Sequence, residues 1–450
     1  MKRFKGLLIA ALVLVLIMGL VGCGPEEKEP EVKPSDGQET KAPEVAEDVD
    51  ISIRITWDAD SGRGQAIRKI LDEFENQNPN ISVTLYGGTS SGAELLTQIL
   101  GGDTPEVLQV AYRDVKALGS QGAFMDLSAE FGANKGYFYE ELWNLAVLDE
   151  QLFGYPWLGH SIQLIYNRTL FAEAGLSGPP DTWEELYEYA KKLTKDTDGD
   201  GKLDQFGLSL VGQQHHDITW LFNMFLHQAG GQIVKMENGE EVVALNSPEG
   251  LKALEFYLKL LTEVTPPDTA NKNGGDAMSD FRSQVTAMQF QGPWGITDIW
   301  KNGNPFEVGA APAPAGPAGR ASDIGPFMLS IPEGVEGTKL DAANALIEFL
   351  GSKKGQEMIM MGEKGDDGKY YPFRVPIRKD LADTDFFKDN PDFLVFIEGM
   401  KYPSISTPSP NWAKVETEIY RSQLNQVMIG KITPQEALDN IERLGNDIMD

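Results

Sequence analysis

Between Ile51 and Tyr112 the chain changes its hydrophobic period four times, and no other stretch restricts the fold as much. Ile51-Ser52-Ile53-Arg54-Ile55-Thr56-Trp57 alternates at period two, the pattern of a strand with one buried face. From Gln65 to Asn78 the apolar residues Ile67, Ile70, Leu71 and Phe74 recur at helical spacing. Ile81 to Tyr86 predicts a second strand, Ala93 to Leu100 another helix, Asp103-Thr104-Pro105 a turn, and Val107 to Tyr112 a third strand. Strands and helices in strict alternation predict a parallel sheet covered by helices, hence an α/β fold. In open sheets of this kind ligands collect beyond the carboxyl ends of the strands. Asp58, Asp60 and Ser61, after the first strand, and Tyr112, Arg113 and Asp114, at the end of the third, are therefore candidate ligand contacts. The bland alternative is that Asp58, Asp60 and Ser61 cap the next helix and that Arg113 and Asp114 form a surface pair.

The N-terminus carries a different kind of signal. Lys2, Arg3 and Lys5 precede an apolar run from Leu7 to Val21, then small residues and the only cysteine, Cys23. A basic start, an apolar stretch and small residues make an export signal, too short and lopsided for a comfortable membrane span. Leu20-Val21-Gly22-Cys23 resembles the bacterial lipobox, in which the thiol is lipidated before cleavage makes the cysteine the new N-terminus. The resemblance implies a signal peptide over residues 1–22, lipidation of Cys23, and a body outside the cytoplasmic membrane, on its periplasmic side or at the cell surface. An uncleaved signal anchor is the alternative. Residues 23–49 are rich in Glu, Lys and Pro and poor in large apolar side chains, so they predict a disordered tether.

About 400 residues remain, enough for two or more lobes. With no cysteine beyond Cys23 no disulfide can form, and the body must be stabilised by packing. The net charge of -29 becomes -32 when the three basic signal residues are removed, since that segment holds no acid. Nucleic acid and anionic lipid surfaces are excluded as partners of such a body, and the charge serves solubility.

From Gly154 a set of motifs recurs in a fixed order. They are Gly154-Tyr155-Pro156-Trp157, Leu164-Ile165-Tyr166-Asn167-Arg168, Ala174-Gly175-Leu176 and Pro180-Asp181-Thr182-Trp183-Glu184-Glu185-Leu186. Ala287-Met288-Gln289-Phe290-Gln291-Gly292-Pro293-Trp294 follows, then Trp412 and Gly430-Lys431-Ile432-Thr433-Pro434. In this order they resemble the extracellular solute-binding proteins of family 1, the sugar-capturing components of ABC importers typified by maltose-binding protein. The resemblance implies a two-lobed, type II periplasmic-binding-protein fold whose lobes are joined by several hinge crossings. It also implies a monomer that closes on a mono- or oligosaccharide and presents it to ABC permease subunits. The expected N-terminal lobe is 51–165 plus 291–335 and the C-terminal lobe 166–290 plus 336–450, with hinges near Tyr166 and Gln291.

Asp196-Thr197-Asp198-Gly199-Asp200-Gly201-Lys202-Leu203-Asp204 has metal-ligand spacing. Carboxylates at alternate positions of a glycine-bearing turn suit Ca²⁺, with Asp196, Asp198, Asp200, the Lys202 carbonyl and Asp204 as candidate ligands. The loop departs from the EF-hand pattern at its twelfth position, Gly207, where a bidentate Glu belongs. A structural Ca²⁺ is expected and no other cofactor; an acidic turn without metal is the alternative.

Sugar recognition needs flat apolar faces and planar polar groups that make paired hydrogen bonds. By their places in the family pattern Trp294, Trp412 and Trp220 are expected to stack on sugar rings and His160 to make a polar contact; the alternative for each Trp is a core aromatic. Trp183 and Trp143, at helical positions, are assigned to the core. His215 and His216 are expected to diverge, as neighbours on a regular element do. The candidate contacts hold several aromatics and one arginine, which favours a neutral sugar over an anion. No Gly-x-Ser-x-Gly elbow, phosphate loop or metalloprotease helix motif is present, so no enzyme activity is expected. A surface glycoside hydrolase and a receptor for a non-sugar solute or a sensor partner are the rival readings.

Overall fold

The computed structural model describes residues 47–88, 92–365, 367–405 and 409–449. The signal segment, Cys23 and the tether up to residue 46 lie outside the described residues. Glu47–Asp450 forms one compact unit, and among its described residues no helix is long and apolar enough to cross a membrane.

Strand β1 (Val49–Ile55) buries Ile51, Ile53 and Ile55, the three residues that its alternation placed on one face. Helix α1 (Gly62–Gln77) buries Ile67, Ile70, Leu71 and Phe74. It is started by Ser61, whose Oγ accepts from the Gly64 N–H at 3.1 Å, while Asp58 Oδ1 accepts from the Asp60 N–H at 2.9 Å. Strands β2 (Ile81–Gly87) and β3 (Val107–Ala111) both pair in parallel with β1, and helix α2 (Gly92–Leu100) joins them. Tyr112, expected as the end of β3, instead opens helix α3 (Tyr112–Gly119).

The chain next contributes β4 (Tyr155–Gly159) to this sheet and then β5 (Gln163–Asn167) to a second one. There β6 (Met288–Gln291) and β7 (Val308–Ala311) flank β5, both antiparallel to it. Against this sheet lies helix α4 (His216–Ala229), whose Phe225 meets Phe290 edge-on at 5.7 Å. Helix α5 (Trp294–Lys301) follows β6 and leans towards the first sheet, its Trp300 stacked on Phe393 at 5.2 Å. After β8 (Ser322–Asp323), strand β9 (Phe327–Ser330) inserts between β3 and β4, antiparallel to both, and β10 (Val375–Pro376) pairs beside β4. The first sheet thus runs β10-β4-β9-β3-β1-β2. It is parallel over β1 to β3; β9, which returns from the other lobe, runs antiparallel to both β3 and β4, and β10 is antiparallel to β4.

Two hydrophobic cores result. One draws on residues 51–158 and 324–400, with 296–308 leaning onto it, and the other on 162–264, 277–290, 311–313 and 412–441. The expected lobe boundaries need correction on this point. Residues 336–400, assigned from the sequence to the C-terminal lobe, belong to the first: helix α6 (Gly337–Gly351) buries Leu346, Ile347 and Leu350 against β1 and β4. β7 and Ala313, assigned to the first lobe, stay with the second.

The chain passes between the cores at residues 159–162, 314–323 and 401–411. These crossings adhere to one another. β8 pairs in parallel with β11 (Pro403–Ser404), and the Ile162 N–H donates to the Asp323 carbonyl at 2.9 Å. Gln163, 1% exposed, ties them together: its Nε2 donates to Ser161 Oγ (2.8 Å) and Ser322 Oγ (3.1 Å), and its Oε1 accepts from the Ala313 N–H (2.8 Å). Gly399 is required beside it, since a Cβ there would stand 1.7 Å from Gln163 Nε2. Tyr166, an expected hinge, lies within the second sheet opposite Met288, whereas Gln291 pairs with Gln163 at the edge of the crossings.

Candidate functional site

Between the cores lies a cleft of about 340 Å³. Its first-lobe wall comes from the ends of β-strands and the turns after them. Tyr112 and Arg113 open α3 directly beyond the carboxyl end of β3, and the Tyr112 N–H donates to the Pro326 carbonyl at 3.2 Å, locking that turn to the start of β9. Arg63, from the first turn of α1, Phe327 and Arg374 complete this wall.

The second-lobe wall is the first turn of α4, the Gly274–Gly275 turn, and Gln291 with Trp294. Asp217 organises it. Its carboxylate accepts from the Gly274 N–H (2.7 Å) and Trp220 Nε1 (3.1 Å), and it lies 3.0 Å from both His215 Nδ1 and His216 Nε2. Burial would raise its pKa, but the bonds from His216 and Gly274 outweigh this and hold the carboxyl well below the usual carboxylate range. Asp217 is therefore a fixed anion that orients the Trp220 ring. Trp294 is oriented likewise: its Nε1 donates to Gln291 Oε1 at 2.8 Å. The ring lies so close over Gly292 that a Cβ there would meet it at 2.2 Å, which explains the glycine. Both tryptophans are half-buried, leaving part of each ring available to the cleft.

His160 stands at the crossing between the walls, edge-on to Trp294 with ring centroids 4.9 Å apart. Its Nε2 is 3.8 Å from Asp323 Oδ2, and its Nδ1 is buried without a partner. Burial lowers its pKa, Asp323 opposes the shift, and Arg374 and Arg113 add to it, so the ring is neutral near pH 7. Glu416, 3% exposed, accepts from Thr219 Oγ1 (2.8 Å) and Arg421 (3.0 Å) at the far side. Rigid aromatic faces, paired polar groups on opposite walls and three chain crossings behind them describe a site made to hold a polar small molecule.

Residues 58–357 match the model of a protein family described as bacterial extracellular solute-binding protein. The chain belongs to that family. Among curated relatives, this solute-binding protein is 25% identical to the diacetylchitobiose binding protein DasA of Streptomyces coelicolor, covering 97% of each chain. It is 21% identical to the multiple sugar-binding protein of Streptococcus mutans, over 65% of this chain and 69% of that one. Among solved structures it superposes on a maltose-bound T. maritima protein, MalE3, with a TM-score of 0.73 at 23% identity, covering 89% of this chain and 99% of the other. A Thermotoga lettingae solute-binding protein bound to tagatose gives 0.74 at 23% identity, covering 89% and 100%. These structural matches carry the two-lobed fold.

Of the residues singled out from the sequence, Tyr112, Arg113, His160, Trp220 and Trp294 come together on this cleft. Asp114 is half-buried behind Arg113 and does not line it. Asp58, Asp60 and Ser61 form the turn that starts α1, so capping is their role here. Trp412 is fully buried in the second core, edge-on to Tyr420 at 5.3 Å, and cannot reach a ligand. Trp143 and Trp183 are core residues, 4% and 3% exposed. His215 and His216 converge on Asp217 instead of diverging, because His215 is the extended cap of α4 and only His216 is helical. Sequence reasoning passed over Arg63, Asp323, Arg374 and Glu416 as contacts; Gln291, inside a quoted motif, and Asp217, beside the two histidines, carried the available signals.

In the acidic loop, one carboxylate oxygen each from Asp196, Asp198 and Asp204 falls within 4.8 Å of the others. Asp196 accepts from the Gly199 (2.6 Å) and Gly201 (2.7 Å) N–H groups, and Asp204 from the Thr197 N–H (2.9 Å) and Oγ1 (2.7 Å). Asp200 does not join this group; its Oδ1 accepts from the Lys202 N–H at 2.8 Å. No side chain can close the shell from position 207, since a Cβ on Gly207 would lie 2.0 Å from the Ala190 carbonyl oxygen.

Proposed function

We propose that this solute-binding protein captures a carbohydrate between its lobes and delivers it to the permease of an ABC importer, tethered to the membrane by lipid on Cys23. The observation that carries the reading is the pair Trp220 and Trp294. Each is half-exposed to the cleft with its indole N–H spent on a fixed acceptor, Asp217 or Gln291, so what each offers a ligand is an apolar face. Relatives named for sugars support the same chemistry. Contacts from both walls would favour a closed arrangement, and the three crossings are where such motion would be absorbed. Binding without turnover is the expected behaviour, as the relatives are binding proteins.

The test is calorimetric titration of residues 47–450 with mono- and oligosaccharides, with the sugars recovered and analysed afterwards. Binding with the sugar returned intact supports capture; cleavage products or heatless titrations throughout would overturn it. For the anchor, Cys23→Ala is expected to change the distribution of a metabolic fatty-acid label, which should mark the wild-type protein and not the variant. An unchanged distribution would refute lipidation at this residue.

A structural Ca²⁺ belongs to the same reading. Asp196, Asp198 and Asp204 offer hard oxygen ligands at the spacing Ca²⁺ takes, and the ion would offset their mutual repulsion. Ca²⁺ at about a hundred times its Kd should stabilise the fold by ~2.7 kcal/mol. Chelation should therefore lower the melting temperature of the wild type and leave Asp196→Asn unmoved; equal curves with and without chelator would remove the ion from the account.

A further inference from the structure

Most charges that line the cleft are answered from within the protein. Arg63 Nε lies 2.8 Å from Glu363 Oε1, Asp217 is bracketed by two histidines, and Glu416 holds Arg421. Arg374 is not answered. It is 6% exposed and lines the cleft, yet among the described residues no carboxylate reaches it. Its Nη1 donates to the carbonyl of its own neighbour Phe373 at 2.9 Å, and its Nε is sealed from solvent without an acceptor.

What surrounds the guanidinium is aromatic. Its carbon sits 4.4 Å from the Trp294 ring centroid and 5.3 Å from that of Trp57, with Phe327 at 5.6 Å. Such contacts attract a cation but do not replace an anion for a group that cannot shed its charge. Burial and the neighbouring Arg63 both work against the positive charge, and Glu363, already paired with Arg63 and Lys301, favours it only from beyond ion-pair distance. Arg113, exposed to the same cleft, also has no carboxylate bonded to it among the described residues. Both arginines act on His160 against Asp323; Asp114, Glu416 and Asp323 also act on Arg113, which leaves Arg374, against the Trp294 ring, as the cleft cation with the least acid about it. The sequence favoured a neutral sugar because it put one arginine in the site; the folded cleft holds three.

We propose that the captured ligand is an acidic saccharide whose anionic group seats against Arg374, with Arg113 facing it and Trp294 under the adjoining ring. The inference rests on the carbohydrate reading above and narrows it. A planar guanidinium fork suits a carboxylate or a phosphate equally, so a uronic acid and a sugar phosphate present the same chemistry.

Titrations of the 47–450 body, whose two cores close on its own residues, separate the possibilities. The panel holds glucuronate, galacturonate and their oligomers, the matching hexose phosphates, and the neutral hexoses and oligomers of the same linkage. An acidic ligand should bind ~10-fold or more tightly than its neutral counterpart, and the arm that binds names the source of the anion. Arg374→Met should erase the preference while Arg374→Lys retains part of it. Should Arg374→Met fail to fold, two other readings stand in its place: Arg113→Gln should reduce the preference, and wild-type affinity for the acidic ligand should fall as salt is raised while that for neutral sugar does not. A neutral sugar bound as tightly as its acidic counterpart overturns this inference and leaves carbohydrate capture standing. No binding by any saccharide overturns both.

Discussion

Trp294→Ala is expected to weaken ligand binding by about 2–3 kcal/mol, or ~30- to 150-fold, because it removes a pre-oriented aromatic face from the centre of the cleft. Gln291 holds the indole in place and Gly292 lets it lie flat, so the ring needs no ordering when ligand arrives. Trp294→Phe keeps a face and should recover most of the affinity. The contrast is Trp412→Ala. That residue is fully buried in the second core, so its loss should cost about 3–5 kcal/mol of stability and leave the affinity of the folded fraction unchanged. Calorimetry and chemical unfolding on both variants check the pair. An affinity for Trp294→Ala within a few-fold of wild type would sink the stacking role.

The second large effect is on the crossings. Gln163→Ala removes the amide that joins them, leaving the Ala313 N–H and the Ser161 and Ser322 hydroxyls without that partner in a sealed site. The two hydroxyls still donate to the Phe396 and Ile162 carbonyls, but the orphaned Ala313 N–H costs about 1–3 kcal/mol and the vacated volume adds to this, so a loss of ~3 kcal/mol is expected. Gln163→Glu, nearly isosteric, keeps an acceptor for Ala313 but loses both donors and should fall between the two. Equilibrium urea unfolding gives the ranking; Gln163→Ala as stable as wild type would show that the crossings hold without the amide.

What the sequence made legible follows from where a residue's meaning is local. The alternation of Ile51, Ile53 and Ile55 and the helical spacing of Ile67 to Phe74 are set by one face of one element, and the structure buries those residues. The crossings at 159–162 and 314–323 have no period of their own, so nothing in the chain marks where it leaves one core for the other. α6 reads as an amphipathic helix either way; only the presence of β1 and β4 beneath it decides its lobe. Trp412 and Trp294 are the same residue type in similar surroundings of sequence, and exposure alone separates core from cleft. Arg374 was invisible for the complementary reason. An arginine between Phe373 and Val375 is ordinary until the fold shows that no acid stands opposite it.

The triple passage of the chain between lobes also sets a timetable. The first core is incomplete without Phe396 and Met400, and the second without Leu438 and Ile441, so neither can finish while the chain is still being made or threaded. Domains that are contiguous in sequence would mature one after the other as they emerged. Here the first core waits for Met400 and the second for Ile441, so the two halves mature late and together instead of in succession.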